Sequence, residues 1–175
     1  MPDADLSLAV PSVFFGAVGT AGQRCTSTRR LYLHTRIASE FLERLEKLYT
    51  HVKPGDPLVD GTLLGPLHSR AACHTYINAI QHLRTSGAEI LTGGNRYDET
   101  PLNAGNFVEP TIAIPKPGIS DDTIWKTETF APILNVALFD ELEQAIYLNN
   151  NVPQVGEFVS VNDAWLNIII IGVIE

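Results

Sequence analysis

The segment "APILNVALF", residues 131–139, is the clearest indication of the fold in this sequence. It is apolar almost throughout, and Asn135 alone interrupts it. An uninterrupted apolar run of this length, bounded by polar residues, is typical of a strand that is buried on both faces of a sheet. We therefore expect neighbouring strands on its edges and helices on its faces.

Three other segments predict strands. "FVEPTIAI", residues 107–114, is rich in β-forming residues, although Pro110 favours an edge or a bend because it lacks a backbone N–H. "RRLYLH", residues 29–34, and "AEILTGG", residues 88–94, are shorter strand candidates. Helices are predicted at residues 5–18, 37–52, 68–86 and 140–151. Strands and helices alternate along the chain, which predicts an α/β fold with a mostly parallel sheet flanked by helices.

Composition excludes several classes of protein. The chain has 175 residues, 45% of them hydrophobic and 18% charged, which is typical of a globular domain. A net charge of −8 repels phosphate backbones, so we expect no nucleic-acid partner. The apolar run at 168–174 is too short to span a bilayer, so we expect no membrane segment. Two cysteines and the lack of a signal-peptide pattern predict a cytoplasmic protein, and a mitochondrial location stays open for a longer form.

The segment "GTAGQRCTSTRR", residues 19–30, is the candidate for chemistry. Small residues before Cys25 leave room for a ligand near the backbone, and the Cys25 N–H could donate to an oxyanion. Arg24 adds positive potential beside the thiol. A lone cysteine in an α/β domain is more often a packed small residue, and we give Cys73, on a predicted helix, that interpretation. No cysteine pair or cluster suggests a metal site.

The longer string "GTAGQRCTSTRRLYLH" closely resembles the nucleophile segment of the NAD(P)-dependent aldehyde dehydrogenases, which carry Gly-Gln-x-Cys. The preceding "PDADLSLAVPSVFFGAVGTAGQRC" is similar to the antiquitin branch, family 7. "LLGPLHS" at 63–69, "GNFVEPTI" at 105–112 and "TETFAPIL" at 127–134 resemble further family segments in the expected order. The resemblance covers about residues 2–154, and four ordered motifs make it specific.

The resemblance implies a role for each matching residue. Cys25 would attack the aldehyde carbon to give a thiohemiacetal, hydride would pass to the nicotinamide of NAD, and water would hydrolyse the thioester that is left. Glu128 would bind the nicotinamide ribose of NAD, and Phe130 would pack near the nicotinamide ring. Arg24 would hold the carboxylate of a semialdehyde such as α-aminoadipic semialdehyde, since a guanidinium fork suits a carboxylate. Thr26 would line the substrate pocket through its backbone.

The resemblance also divides the chain. We expect residues 1–154 to be part of an aldehyde dehydrogenase catalytic domain and residues 155–175 to be a divergent, disordered tail. No "ELGG" string supplies the family's general base, and no phosphate-binding turn precedes Cys25. Family members form homo-oligomers through strands that have no match here. We therefore expect the chain alone to be inactive.

Two other functions stay open at this point. The chain could be an inactive interaction module that binds full-length subunits through a sheet edge. It could also be a thiol-reactive protein that uses Cys25 without a cofactor. NADH formation from an aldehyde distinguishes the first interpretation from both alternatives.

Overall fold

Residues 133–139 of the predicted strand 131–139 form an inner strand of a four-stranded sheet in the computed structural model, and Ala131 and Pro132 precede it. The structure describes residues 1–116, 122–152, 155–157 and 172–174. Its helices are α1 (Leu6–Val18), α2 (Thr35–Thr50), α3 (Arg70–Thr85), α4 (Asp122–Lys126) and α5 (Leu142–Asn150). Its strands are β1 (Arg30–His34), β2 (Glu89–Thr92), β3 (Thr111–Ile114), β4 (Ile133–Phe139), β5 (Val155–Glu157) and β6 (Gly172–Ile174).

The sheet confirms the predicted α/β class. Its strand order is β1-β4-β3-β2, and β4 pairs in parallel with both β1 and β3. Only β2 runs antiparallel, against β3. Strand β3 begins at Thr111 rather than at residue 107, directly after Pro110. The missing N–H of that proline fits its position outside the ladder.

The side chains of β4 lie alternately on the two faces of the sheet. Leu134 and Val136 are fully buried and belong to the main hydrophobic core. Ile133 and Asn135 line a cavity of about 310 Å³ beside α3. The strand is therefore covered on both faces along most of its length, as the sequence predicts, although Leu138 near its end is 46% exposed.

The helix boundaries follow local capping. Asp5 caps α1 by accepting a hydrogen bond from the Ser7 N–H at 2.8 Å, and the helix continues through Pro11 without a break. Ser69 caps α3 in the same way through the Ala72 N–H. Helix α5 begins after a capping box formed by Glu141 and Gln144. The short helix α4 has no counterpart among the predicted helices.

The end of the chain is described only in part. Strand β5 pairs antiparallel with β6 as a separate two-stranded sheet. The rest of the predicted tail 155–175, its expected disorder and its boundary at residue 154 lie outside the described residues. Within the described ranges, no helix combines the length and apolar character needed to cross a bilayer. The same ranges contain no cluster of three acidic, histidine or cysteine side chains suited to a metal ion.

Candidate active site

Cys25 follows a backbone turn in an unusual conformation. Thr20, Ala21 and Gly22 all have left-handed backbone angles, with φ of 54°, 55° and 68°. Residues other than glycine rarely adopt this conformation, because the Cβ then crowds the following carbonyl oxygen. Strain of this kind persists only where the surrounding structure fixes it. The turn must therefore be held by its neighbours.

The first of these neighbours is the backbone that leads into β4. A Cβ on Gly22 would lie 2.4 Å from the carbonyl oxygen of Ala131, so only glycine fits at this contact. Phe130, the residue before Ala131, also has a positive φ, of 45°. Two segments that are far apart in the sequence thus meet backbone to backbone beside Cys25.

Gln23 fixes the turn to a second segment. Its Oε1 accepts a hydrogen bond from the His68 N–H at 2.9 Å and lies 3.0 Å from His68 Nδ1. Its Nε2 donates to the carbonyl oxygens of Thr20 and Pro66, each at 3.3 Å. This explains physically why a long amide side chain stands two residues before Cys25. No pattern in the sequence predicted a role for Gln23.

Arg29 closes the loop that carries the cysteine. The side chain is buried, and its Nη1 donates to the carbonyl oxygen of Ser27 at 3.2 Å. Its Nη2 donates to the carbonyl oxygens of Arg24 at 3.1 Å and of Gly22 at 3.4 Å. A charged donor among backbone carbonyls forms stronger hydrogen bonds than a neutral donor does.

The same guanidinium faces the segment that contains both predicted cofactor residues. Arg29 Nη2 lies 3.4 Å from Glu128 Oε1, and the guanidinium carbon lies 4.6 Å from the centre of the Phe130 ring. Burial lowers the pKa of Arg29, and the Glu128 carboxylate opposes that shift. An arginine stays charged under such shifts, so the pair is a cation between a carboxylate and an aromatic face. From the sequence, Arg29 was predicted only to begin a strand, so this role was missed.

Arg30 is a second buried arginine behind the site. Its Nη1 donates to the Trp125 carbonyl oxygen at 3.3 Å, and burial lowers its pKa. Its Nε and Nη2, like Asn135 Oδ1, have no hydrogen-bond partner among the described residues. All three groups belong to residues that line a cavity of about 10 Å³, which is close to the space that one water molecule needs.

The predicted nucleophile and substrate residues lie together on the surface. Arg24, Cys25 and Thr26 are exposed, and Cys25 is a free thiol. The Cys25 N–H donates to no other residue in the part of the chain that the structure describes, so it is available to a ligand. Cys73, by contrast, is only 6% exposed, and burial raises the pKa of its thiol.

The predicted site residues thus belong to two segments. Arg24, Cys25 and Thr26 lie on the turn before β1, and Glu128 and Phe130 lie in the loop between α4 and β4. Arg29 contacts both segments. The fold therefore brings the two halves of the candidate site together through a residue that belongs to neither predicted set.

The sequence of this chain matches a known family. Residues 1–157 match the aldehyde dehydrogenase family. The chain belongs to the aldehyde dehydrogenase family. It is 51% identical over 154 residues to "Aldehyde dehydrogenase family 7 member A1" of Pisum sativum, an alignment that covers 88% of this chain and 29% of that protein. It is 44% identical over 153 residues to "Alpha-aminoadipic semialdehyde dehydrogenase" of Mus musculus, which covers 87% of this chain and 27% of that protein.

Solved aldehyde dehydrogenase structures share the fold. Betaine aldehyde dehydrogenase from Staphylococcus aureus, in complex with NAD+, superposes with a TM-score of 0.85 at 27% identity, over 93% of this chain and 32% of that one. PnpE in complex with nicotinamide adenine dinucleotide gives a TM-score of 0.82 at 33% identity, over 87% and 31% of the two chains. The resemblance to the family, and to its family 7 members, is confirmed. This chain spans less than a third of the length of these relatives.

The two cysteines should differ in reactivity. We expect iodoacetamide to label Cys25 before Cys73 in the native chain, because Cys25 is exposed and the Cys73 thiol is buried with a raised pKa. Labelling of Cys73 should become appreciable only at a higher pH than an ordinary thiol requires, since burial favours its protonated form. Peptide mass spectrometry over time measures both rates. In urea the two rates should converge, and equal rates in the native chain would contradict the assignment.

The close approach of Gly22 to Ala131 should make any side chain at position 22 strongly destabilising. Gly61 provides a matched control, because it also has a positive φ, of 85°, but has no atom within 4 Å of a Cβ placed on it. Gly61→Ala should lower the free energy of unfolding by about 1–2 kcal/mol through the backbone alone. Gly22→Ala should cost about 1–3 kcal/mol more, because the added Cβ meets the Ala131 carbonyl. Urea unfolding followed by circular dichroism measures both losses, and equal losses would disprove the close approach.

Proposed function

We propose that Cys25 is the nucleophile of NAD-dependent aldehyde oxidation. The observation that carries this proposal is the exposed thiol on a held turn, with its own N–H available and with Arg29 tying that turn to Glu128 and Phe130. A packed structural cysteine would be buried, as Cys73 is. Membership of the aldehyde dehydrogenase family supports the same chemistry.

The residues of this chain serve the addition step directly. The Cys25 thiolate forms a bond to the aldehyde carbon, and the electron pair of the carbonyl double bond moves to the oxygen. That oxygen becomes negative and accepts a hydrogen bond from the Cys25 N–H, which no other described residue occupies. Because Gln23, Arg29 and the Gly22 contact hold the turn, this donor needs little reorganisation during the reaction.

Glu128 and Phe130 fit the nicotinamide end of the cofactor. Glu128 uses Oε1 toward Arg29, and its Oε2 has no ion pair within the described ranges. The Phe130 side chain is 37% exposed although Arg29 lies against one face of its ring. A carboxylate oxygen and an aromatic surface suit a ribose hydroxyl and a flat ring, respectively. When bound, NAD supplies the acceptor for the hydride that leaves the substrate carbon.

Arg24 and Thr26 belong to the proposed substrate side. Arg24 directly precedes Cys25, and among the described residues its guanidinium forms no hydrogen bond or ion pair. It is therefore free to hold a carboxylate, which favours semialdehydes that carry one. The name of the Mus musculus relative, an α-aminoadipic semialdehyde dehydrogenase, supports this substrate class. Thr26, exposed on the other side of Cys25, would line the same pocket.

The addition step can be tested on this chain. α-Aminoadipic semialdehyde should slow the iodoacetamide labelling of Cys25 and leave Cys73 unaffected, because addition to the carbonyl occupies the Cys25 thiol. Peptide mass spectrometry reads both sites, and a dialysed sample controls for reversibility. Absence of protection at millimolar aldehyde would contradict the nucleophile assignment.

The oxidation needs a different sample. Glu128 and Phe130 contact only one end of NAD, so the 175-residue chain alone should form no NADH at 340 nm. A complete family 7 enzyme that carries residues 1–154 of this chain in place of its own segment should form NADH. Cys25→Ser in that protein should lower the rate on the order of 10³-fold or more. Cofactor-free ester turnover without NADH formation would favour the thiol-reactive alternative, and Cys25-dependent NADH formation by the chain alone would overturn its expected inactivity.

A further inference from the structure

Phe15 is the most exposed large apolar side chain of α1. It is 62% exposed, whereas the inward face of the same helix, with Val10 and Val13, is almost fully buried. Its ring is directed toward the turn that leads to Cys25, since its Cδ2 and Cε2 atoms lie 3.9 Å from the Cβ position of Gly19. The ring therefore lies beside the start of the turn that leads to Cys25 and is not part of the buried core.

The Phe15 ring contacts the guanidinium of Arg24. The Arg24 guanidinium carbon lies over the Phe15 ring, 5.5 Å from its centre, within the range of a cation–π contact. This attraction acts between the cation and the π-face of the ring, so it uses none of the N–H donors of the guanidinium. That guanidinium forms no hydrogen bond or ion pair with another described residue. Arg24 is thus restrained in position while its donors stay free.

We propose that Phe15 is a positioning residue that selects anionic substrates through Arg24. An exposed arginine without a restraint samples many rotamers, which spreads its charge over a large volume. The Phe15 ring narrows that volume to the space over its own face, on the turn that carries Cys25, so an electrophile with a carboxylate is attracted toward that turn. The inference rests on the proposed function, because it assigns the substrate preference of the same Cys25 site.

Two alkylating reagents separate charge selection from reactivity. Iodoacetate and iodoacetamide react with the same thiol in the same way, but only iodoacetate carries a carboxylate. The ratio of their second-order rate constants at Cys25, measured by peptide mass spectrometry on the full chain, reports the local attraction for an anion. A purely structural change at the turn alters both rate constants and largely cancels in the ratio.

Four variants make the test specific. Arg24→Gln should lower the ratio about fivefold, as expected for two unit charges about 4 Å apart in water. Phe15→Leu should lower the ratio by roughly half of that factor, about 2.5-fold. Phe15→Tyr keeps the aromatic ring, so its ratio should equal that of the wild type. Leu8→Ala is the matched control, because Leu8 is a 39% exposed side chain of the same helix, and it should leave the ratio unchanged. In 1 M salt the wild-type ratio should fall toward that of Arg24→Gln, because screening shortens the reach of the charge.

The outcomes distinguish the inference from the proposed function. A ratio that falls with Arg24→Gln but not with Phe15→Leu overturns the role of Phe15 and leaves the role of Arg24 intact. A ratio that does not change with Arg24→Gln overturns both residues as selectors, while Cys25 can still be the nucleophile. Labelling of Cys25 no faster than that of Cys73 overturns the proposed function and the inference together.

Discussion

The buried guanidinium of Arg29 is the interaction on which the candidate site depends. It donates to backbone carbonyls of the loop that carries Cys25, and it pairs with Glu128 while it lies against Phe130. A buried cation without partners is strongly unfavourable, so the two segments stay in place as long as the arginine stays between them. Arg29 therefore sets where the thiol stands relative to the proposed cofactor residues.

The turn that Arg29 holds in place has a strained backbone. Thr20 and Ala21 hold left-handed angles that cost roughly 1–3 kcal/mol each. The hydrogen bonds of Gln23 and of Arg29 oppose that cost. The result is a cysteine that points to solvent from a fixed backbone, which a relaxed loop would not provide. Function at Cys25 is thus linked to stability through residues that never touch a substrate.

Local patterns made part of this structure predictable. The apolar run of β4 and the spacing of apolar residues within each helix are properties of short segments. They therefore predicted the α/β sheet and most of its elements. Pro110 favoured an edge strand or a bend, but β3 is an inner strand that begins directly after it, and the antiparallel direction of β2 has no local signal. Cys25 stood out through its own string, but Gln23 and Arg29 did not, because their partners His68 and Glu128 lie far along the chain. Side chains that bind distant segments leave no periodic trace in a sequence.

A double-mutant cycle between Arg29 and Glu128 tests the central claim most directly. The free energy of unfolding is measured by urea denaturation for the wild type, Arg29→Gln, Glu128→Gln and the double variant. If Arg29 joins the two segments, the loss of unfolding free energy in the double variant should be smaller than the sum of the two single losses by about 0.5–3 kcal/mol. The reason is that either single variant already breaks the pair. Losses that add to within about 0.3–0.5 kcal/mol would show that the two side chains act independently, and would contradict the account.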